Sequence, residues 1–475
     1  MTAADSRPNT PLPQAKMPGL ADLPKMAGLS PIEALMTIAR NSGPIFELPG
    51  QPDRTLVTWG FPWVDEISGD ERFDKALATG LVALRQFAGD GLFTAYTDEP
   101  NWGKAHRILL PAFSQQAMAG YHGRMLDLAS QLVLKWSRLN PGDAVDVSSD
   151  MTRLTLDTIG LCGFDYRFNS FYRTDLHPYV QGMVYTLKLA TSVLTGGGNA
   201  LPDDPKLAEY RAAMNAFVDE VIAVRKVSGV TGTGDLLGKM LEGIDKTTGE
   251  RLDDETIRYE INTFLVAGHE TTSGLLTFAL YFLSKHPDIR AKAQAEADRV
   301  LGPQAGVLPT YQQVRDLTYI RQVLDESLRL WPTAPGFARR PLAPDTIGGE
   351  YRVEPTDIIR VITPLLHRDP SIWGDDAETF NPERFSPERA PSIPANAFKP
   401  FGTGQRACIG RQFALHEATL VLVMVMHRFD LEDIDNYQLK IHQTLTIKPA
   451  GFRLGLKLRE GRDSFVFGGA VDAIA

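Results

Sequence analysis

From Asp254 to Lys285 the chain carries the pattern of one long helix whose middle is apolar on nearly every side. A helix without a polar face has nothing to offer water, so it has to cross the interior while the rest of the chain wraps it. A membrane cannot do the wrapping: no apolar run approaches the ~20 residues a span requires, and the longest candidate, residues 275–283, is too short. With 475 residues, of which 43% are hydrophobic, the chain can bury a large core. No shift in composition marks a domain boundary within it.

The same helix breaks its own pattern at the centre. Ala267-Gly268-His269-Glu270-Thr271-Thr272 sets a glycine and four polar side chains where burial costs most, and an interior glycine alone costs about 1 kcal/mol relative to alanine. The Thr271 hydroxyl can bond back toward the Ala267 carbonyl, which would loosen the ladder and open a groove suited to water or dioxygen. The plainer alternative is a satisfied polar bend with Glu270 facing solvent. His269 points away from its neighbour and reads as structural, since a zinc site of the helical kind needs two histidines four residues apart.

The second constraint is Phe401-Gly402-Thr403-Gly404-Gln405-Arg406-Ala407-Cys408-Ile409-Gly410, which places one of the two cysteines in a glycine-bracketed turn opening a helix over residues 412–427. A lone cysteine is usually a small buried hydrophobe. Here Gly402, Gly404 and Gly410 let the backbone turn tightly and approach a ligand closely. Backbone N–H groups and the helix dipole favour thiolate at such a position. The sulfur suits a nucleophile or an iron ligand; a nucleophile wants a nearby base, which no local His or Asp clearly supplies, so iron fits better.

This loop closely resembles the haem-binding segment of the cytochrome P450 family, whose pattern Phe-x-x-Gly-x-Arg-x-Cys-x-Gly it satisfies at every fixed position. The resemblance implies a mainly α fold with a small β region, a long central helix over a haem, and the Cys loop on the proximal side. It makes Cys408 the axial thiolate, which pushes electron density onto iron and favours O–O cleavage. It pairs Arg406 with a haem propionate, packs Phe401 against the sulfur, and closes the turn with Gly402 and Gly410. Trp102 and His106, one turn apart on a predicted helix, would converge on a propionate, with Lys75 a further candidate. Ala267, Glu270 and Thr271 resemble the oxygen-side motif whose acid and alcohol relay protons. Glu326 and Arg329, with Arg384 in Asn381-Pro382-Glu383-Arg384-Phe385, look like the family's Glu-Arg-Arg network holding the Cys loop.

Composition narrows the setting. A net charge of -9 and a pI near 5.6 argue against a nucleic-acid partner. Cys162 and Cys408 stand in unrelated contexts, which disfavours a disulfide and points to a reducing cytoplasm. Residues 1–30, with Pro8, Pro11, Pro13, Pro18 and Pro24, read as an extended arm. Ile45–Leu48 and Thr55–Thr58 read as strands, helical patterns dominate residues 76–283, residues 195–199 and 229–234 read as loops, and residues 445–458 alternate as a hairpin.

The likeness runs over nearly the whole chain from about Pro31 to Leu456. Phe87-Ala88-Gly89-Asp90-Gly91-Leu92-Phe93-Thr94, Phe113-Ser114-Gln115-Gln116-Ala117-Met118, Asp157-Thr158-Ile159-Gly160-Leu161-Cys162-Gly163-Phe164 and Trp331-Pro332-Thr333-Ala334-Pro335 resemble the haem domain of bacterial self-sufficient fatty-acid hydroxylases, which are fused to a flavin reductase. That comparison puts Phe93 over the haem and lines an apolar channel with Leu81, Leu84, Phe87, Leu187, Ala267, Ala334 and Leu445. Where such relatives hold a fatty-acid carboxylate with Arg and Tyr, this chain has Gln51 and Thr55, which leaves Arg54 as the candidate anchor. Beyond Leu458, residues 459–475 show no flavin or nicotinamide motif and read as a tail or the start of a linker.

The expectation is a haem monooxygenase domain over residues 31–458, holding haem b (iron protoporphyrin IX). It would use O2 to hydroxylate medium or long-chain fatty acids at a subterminal carbon, with electrons from NADPH through the FMN and FAD of a reductase not present here. The same chemistry on neutral hydrophobic chains is the alternative suggested by Gln51 and Thr55. A peroxide-driven peroxygenase usually lacks the acid and alcohol that Glu270 and Thr271 provide. A haem sensor would need an effector domain or recognition helix, and none is visible.

Overall fold

The computed structural model describes residues 10–19, 26–140, 142–196 and 200–462. Its axis is the helix Asp254–Lys285, which by its 32 residues is about 48 Å long. The Asp253 carboxylate caps it by accepting from the Thr256 N–H at 2.7 Å, with Asp254 and Glu255 in the first turn and Lys285 in the last, each sign matched to the dipole. Between residues 261 and 280 every residue is buried except Ala267, Gly268 and Thr271. These form one accessible stripe at the centre of a submerged helix.

The Thr271 hydroxyl does donate to the Ala267 carbonyl, at 2.8 Å, yet the helix runs unbroken through this point. The small residues Ala267 and Gly268 share the accessible stripe with Thr271. Gly268 also has a packing reason: a Cβ there would meet Ile159 Cγ1 at 2.9 Å, so the glycine admits the helix Val147–Phe164. Thr155 Oγ1 donates to the His269 carbonyl at 2.7 Å across the same contact. His269 itself is buried, its Nδ1 on the Leu265 carbonyl at 2.7 Å, a structural histidine.

Two helix layers flank this axis. On one side Thr79–Ala88 packs against Pro178–Gly196, which packs against Pro205–Ser228. On the other lie Thr318–Leu330 and Arg411–Arg428, the latter following the Cys loop as read from the sequence. Pro178–Gly196 takes in Thr195 and Gly196, which the sequence pattern placed in a loop; residues 197–199 lie outside the described residues. Gly229, Gly232 and Gly234 all have positive φ, as a loop there requires.

The β structure gathers at the periphery. Strands β1 (Ile45–Leu48), β2 (Thr55–Thr58), β3 (Phe73–Lys75), β4 (Ala144–Asp146), β5 (Gly336–Pro341), β6 (Asp345–Ile347), β7 (Tyr351–Val353), β8 (Ile358–Ile362), β9 (Phe429–Glu432), β10 (Ile441–Gln443), β11 (Ile447–Pro449) and β12 (Arg453–Leu458) form a five-stranded sheet ordered β1-β2-β8-β5-β3, a three-stranded sheet β4-β12-β9, and the pairs β6-β7 and β10-β11. The tail departs from its expected pairing. β11 turns back on β10, through Gln443 opposite Ile447, and β12 leaves to pair with β4 and β9. Within the expected arm, Leu12 is buried, the Ala15 N–H donates to the Glu47 carbonyl on β1 at 2.9 Å, and the Glu47 N–H donates to the Pro13 carbonyl at 2.8 Å.

Burial has a consequence for stability. Glu260, fully buried on the central helix, has its carboxyl pushed up to about 8 by desolvation, and Glu417 on Arg411–Arg428 likewise. The folded chain keeps a proton that the unfolded chain, at 4.5, has lost, so each such group removes stability as pH rises from about 4.5 to 8, at up to ~1.4 kcal/mol per pH unit. Glu260→Gln should flatten this decline in urea midpoints measured between pH 5 and 9. An unchanged slope would mean that Glu260 is ionised in the fold.

Candidate functional site

Cys408 lies in the turn before Arg411–Arg428, its N–H donating to the Phe401 carbonyl at 2.8 Å. It is the accessible one of the two cysteines, while Cys162 is fully buried. Although its surface is open, protein crowds the sulfur closely enough that burial raises the thiol's pKa; the Gly410 N–H and the Arg411 guanidinium act the other way. The N–H at the helix start thus favours thiolate, as the sequence indicated, while burial opposes it. Arg411 stacks over the Phe401 ring at 5.4 Å, on the same turn.

The turn is held from outside. Gly404, at φ +63°, lies so close to Asp70 that a Cβ would fall 2.2 Å from its Oδ1, and the Gln405 N–H donates to Asp70 Oδ2 at 2.6 Å. Asp70 is in turn fixed by Arg339 at 2.9 Å, a buried guanidinium that also donates to the carbonyls of Ile67, Gly69 and Phe73. From the other end, Glu326 and Arg329 form a fully buried bidentate pair at 2.7 and 2.8 Å. Arg384 Nε stands 3.5 Å from Glu326 Oε1, an ion pair too long for a good hydrogen bond, and the Asn381 N–H fills that oxygen at 2.8 Å.

His367 carries this network to the Cys loop, and sequence reasoning did not find it. Arg329 donates to the His367 carbonyl at 2.7 Å, His367 Nδ1 meets the Arg329 carbonyl at 3.1 Å, and the Lys399 N–H donates to His367 Nε2 at 2.8 Å. An N–H pointing at Nε2 leaves the proton on Nδ1, so the ring is neutral, and burial beside Arg329 pushes it down to about 3. The spacing of 38 residues between Arg329 and His367 has no local signature that could have revealed the contact.

A cluster of cations stands on one side of the Cys loop. Arg406 donates to Thr97 Oγ1 and to the carbonyls of Leu92 and Ala95, and stacks over Trp102 at 4.7 Å. Trp102 stacks on His106 at 5.2 Å. Lys75 Nζ donates to the Phe93 carbonyl and lies 5.1 Å from the Phe93 ring. Burial lowers the pKa of all three basic groups: Arg406 to about 10, His106 downward, and Lys75 well down with help from Arg406. Among the described residues neither Arg406 nor Lys75 hydrogen-bonds a carboxylate; backbone carbonyls and a hydroxyl take their protons. Mutually repelling, desolvated cations of this kind suit a ligand that brings its own anionic groups. An accessible thiol, two such cations, an indole N–H and an imidazole fit an iron porphyrin bearing carboxylates.

On the central helix, Ala267 and Thr271 share the accessible stripe, while Glu270 is buried and its Oε2 accepts from Thr444 Oγ1 and Thr446 Oγ1, both at 2.9 Å. Thr444 and Thr446 flank Leu445 in the β10-β11 turn. Leu84, Phe87 and Leu187 are buried, Leu81, Phe93 and Leu445 are partly buried, and Ala334 is exposed. All but the exposed Ala334 pack in or against the one main hydrophobic core. Arg54 is engaged elsewhere, with Glu47 at 3.1 Å and Asp357 at 2.8 Å. Thr55 is buried in β2 with its hydroxyl on the Asp53 carbonyl, and Gln51 Oε1 is buried without a partner among the described residues.

The supporting network makes a contrast that unfolding can measure. Glu326→Gln strips the charge from a buried pair and should cost about 3 to 5 kcal/mol. Arg54→Ala, which breaks pairs that reach the surface, should cost no more than about 1 kcal/mol. Urea midpoints of the two variants decide it, and equal losses would contradict the assignment of the Glu326 pair as the structural anchor.

The family model for cytochrome P450 matches residues 11–455. The chain is 52% identical over 459 residues, 95% of its length, to the bifunctional cytochrome P450/NADPH–P450 reductase 1 of Bacillus subtilis, and 51% identical over 460 residues to the bifunctional cytochrome P450/NADPH–P450 reductase of Bacillus cereus. A self-sufficient cytochrome P450 monooxygenase of Aspergillus niger is 42% identical over 456 residues. The chain spans about two fifths of the length of these relatives, 42, 42 and 41% respectively. With a family model that matches from the N-terminal arm to the last strand, and relatives of this identity, the chain belongs to the cytochrome P450 family.

Proposed function

We propose that this chain is the oxygenase portion of a haem-thiolate monooxygenase that hydroxylates the C–H bonds of medium or long fatty acids near the chain end, with O2 and with electrons from NADPH delivered through a flavin reductase. The observation that carries the reading is the accessible Cys408 thiol in a turn pinned at both ends, beside the desolvated cations Lys75 and Arg406. Bound through Cys408, haem would supply the oxygen-activating chemistry. Arg406, Trp102, His106 and Lys75 would hold its carboxylates, with Phe401, Gly402 and Gly410 shaping the turn behind it.

The remaining tasks fall to the chain's own side chains. Thr271 donates its one hydroxyl proton to the Ala267 carbonyl, so within the accessible stripe its oxygen accepts, and it would donate to a neighbouring oxygen only by rotating off that carbonyl. Glu270 reaches the same stripe only by leaving Thr444 and Thr446, so proton delivery and the position of the β10-β11 turn are linked. Phe93, Leu81, Leu84, Phe87, Leu187, Ala334 and Leu445 would orient an apolar chain and exclude water.

One observation favours a wider substrate range. Arg54 is occupied by Glu47 and Asp357, and Gln51 presents a buried, unpartnered amide oxygen rather than a cation. A neutral head that donates a hydrogen bond suits that oxygen better than a carboxylate does. In titrations of the ferric holoprotein followed by the Soret band, acids of graded length should give saturable, length-dependent shifts, with alcohols and amides of equal length binding comparably. Gln51→Arg should then tighten acids alone by about tenfold, the worth of a charge-assisted hydrogen bond. Flat affinity for acids would overturn the anchor idea; no shift with any chain would overturn the lipophilic substrate.

A further inference from the structure

A buried polar knot ties the helices that roof the central helix to it. Asn262 is fully buried in the N-terminal third of Asp254–Lys285. Its Oδ1 accepts from the Tyr179 hydroxyl at 2.8 Å, and its Nδ2 donates to the Phe87 carbonyl at 3.3 Å. The atoms can be assigned by chemistry: a carbonyl only accepts, so the amide turns its N–H to Phe87 and its oxygen to Tyr179. Tyr179 starts the helix Pro178–Gly196, which carries Leu187; Phe87 ends the helix Thr79–Ala88, which carries Leu81 and Leu84. The Phe87 carbonyl belongs to a last helical turn that has no intrahelical donor of its own.

A second tie lies beside it. The Leu92 N–H donates to Glu260 Oε1 at 3.0 Å, and Gly91 sits so close that a Cβ would meet Thr263 Oγ1 at 2.6 Å. The central helix thus grips both ends of the segment running from Phe87 to Phe93. Apolar contacts between these helices are non-directional and permit sliding, whereas lifting the roof leaves a buried hydroxyl and a buried amide unsatisfied until water reaches them.

We propose that Tyr179 and Asn262 form a latch that joins both roof helices to the central helix and sets the rate at which lipophilic molecules enter and leave the chamber beneath. They are positioning residues: they act through Phe87 and the placement of Leu187, not on the reacting atoms. The proposal rests on the function above only in taking the space under the roof as the substrate chamber.

The test uses the holoprotein and dodecylimidazole, whose imidazole ligates haem iron and shifts the Soret band whatever the natural substrate is. Its dissociation rate is measured by stopped flow, and amide hydrogen exchange is followed in residues 178–193, with Thr318–Leu330 as internal control. Tyr179→Phe removes one hydroxyl and should speed dissociation about fivefold, the worth of one net hydrogen bond. It should accelerate exchange in residues 178–193 and leave the control helix unchanged. Asn262→Leu should go further, and the double variant should match Asn262→Leu, because the bond is shared. Unchanged dissociation and exchange alongside a lowered urea midpoint would reduce the pair to a structural contact and overturn the latch, as would additive single effects. If Asn262→Leu does not fold, Tyr179→Phe alone decides. A spectral shift with dodecylimidazole but none with fatty acids would defeat the substrate reading and leave the latch standing; with no dodecylimidazole binding, exchange in residues 178–193 still decides.

Discussion

A thiol that stays accessible inside a folded protein has to be held by atoms outside its own loop, because a glycine-rich turn cannot hold itself. Here the holding is electrostatic and buried. Asp70 and Arg339 clamp Gly404 and Gln405 from the sheet side, and Glu326, Arg329 and His367 reach Lys399 from the helix side. Desolvated ion pairs give little net stability against an apolar alternative but are expensive to break from one side. That asymmetry suits a scaffold whose purpose is geometry.

Much of the scaffold was legible because its signals are local and periodic. The central helix begins at Asp254 and ends at Lys285 as the apolar pattern indicated, and Ile45–Leu48 and Thr55–Thr58 are strands. The helix after the Cys loop runs one residue further at each end than the pattern suggested, Arg411–Arg428. Pairing partners are another matter. Alternation over residues 445–458 announces strands without naming their neighbours, and the pairing that forms uses β10 on one side and β4 and β9 on the other.

The site divides the same way. Motif spacing brought Cys408, Arg406, Trp102, His106 and the Glu326–Arg329 pair into view, and in the structure Arg406 stacks on Trp102 and Trp102 on His106. His367, the Asp70–Arg339 clamp and the Tyr179–Asn262 bond escaped, since their partners lie 38, 269 and 83 residues apart and obey no local rule. At Cys408 the helix start and the neighbouring arginine favour thiolate, as the local pattern indicated, and the opposing effect of burial is visible only in the packed structure.

The central claim is that Cys408 is the sulfur that binds haem iron. X-ray absorption at the iron edge of the ferric holoprotein tests it most directly, because sulfur and lighter scatterers in the first shell are distinguishable. The account predicts one sulfur ligand in the native protein and none in Cys408→Ser reconstituted with haem. A first shell of nitrogen and oxygen alone in the native protein, or sulfur retained in the variant, would contradict it.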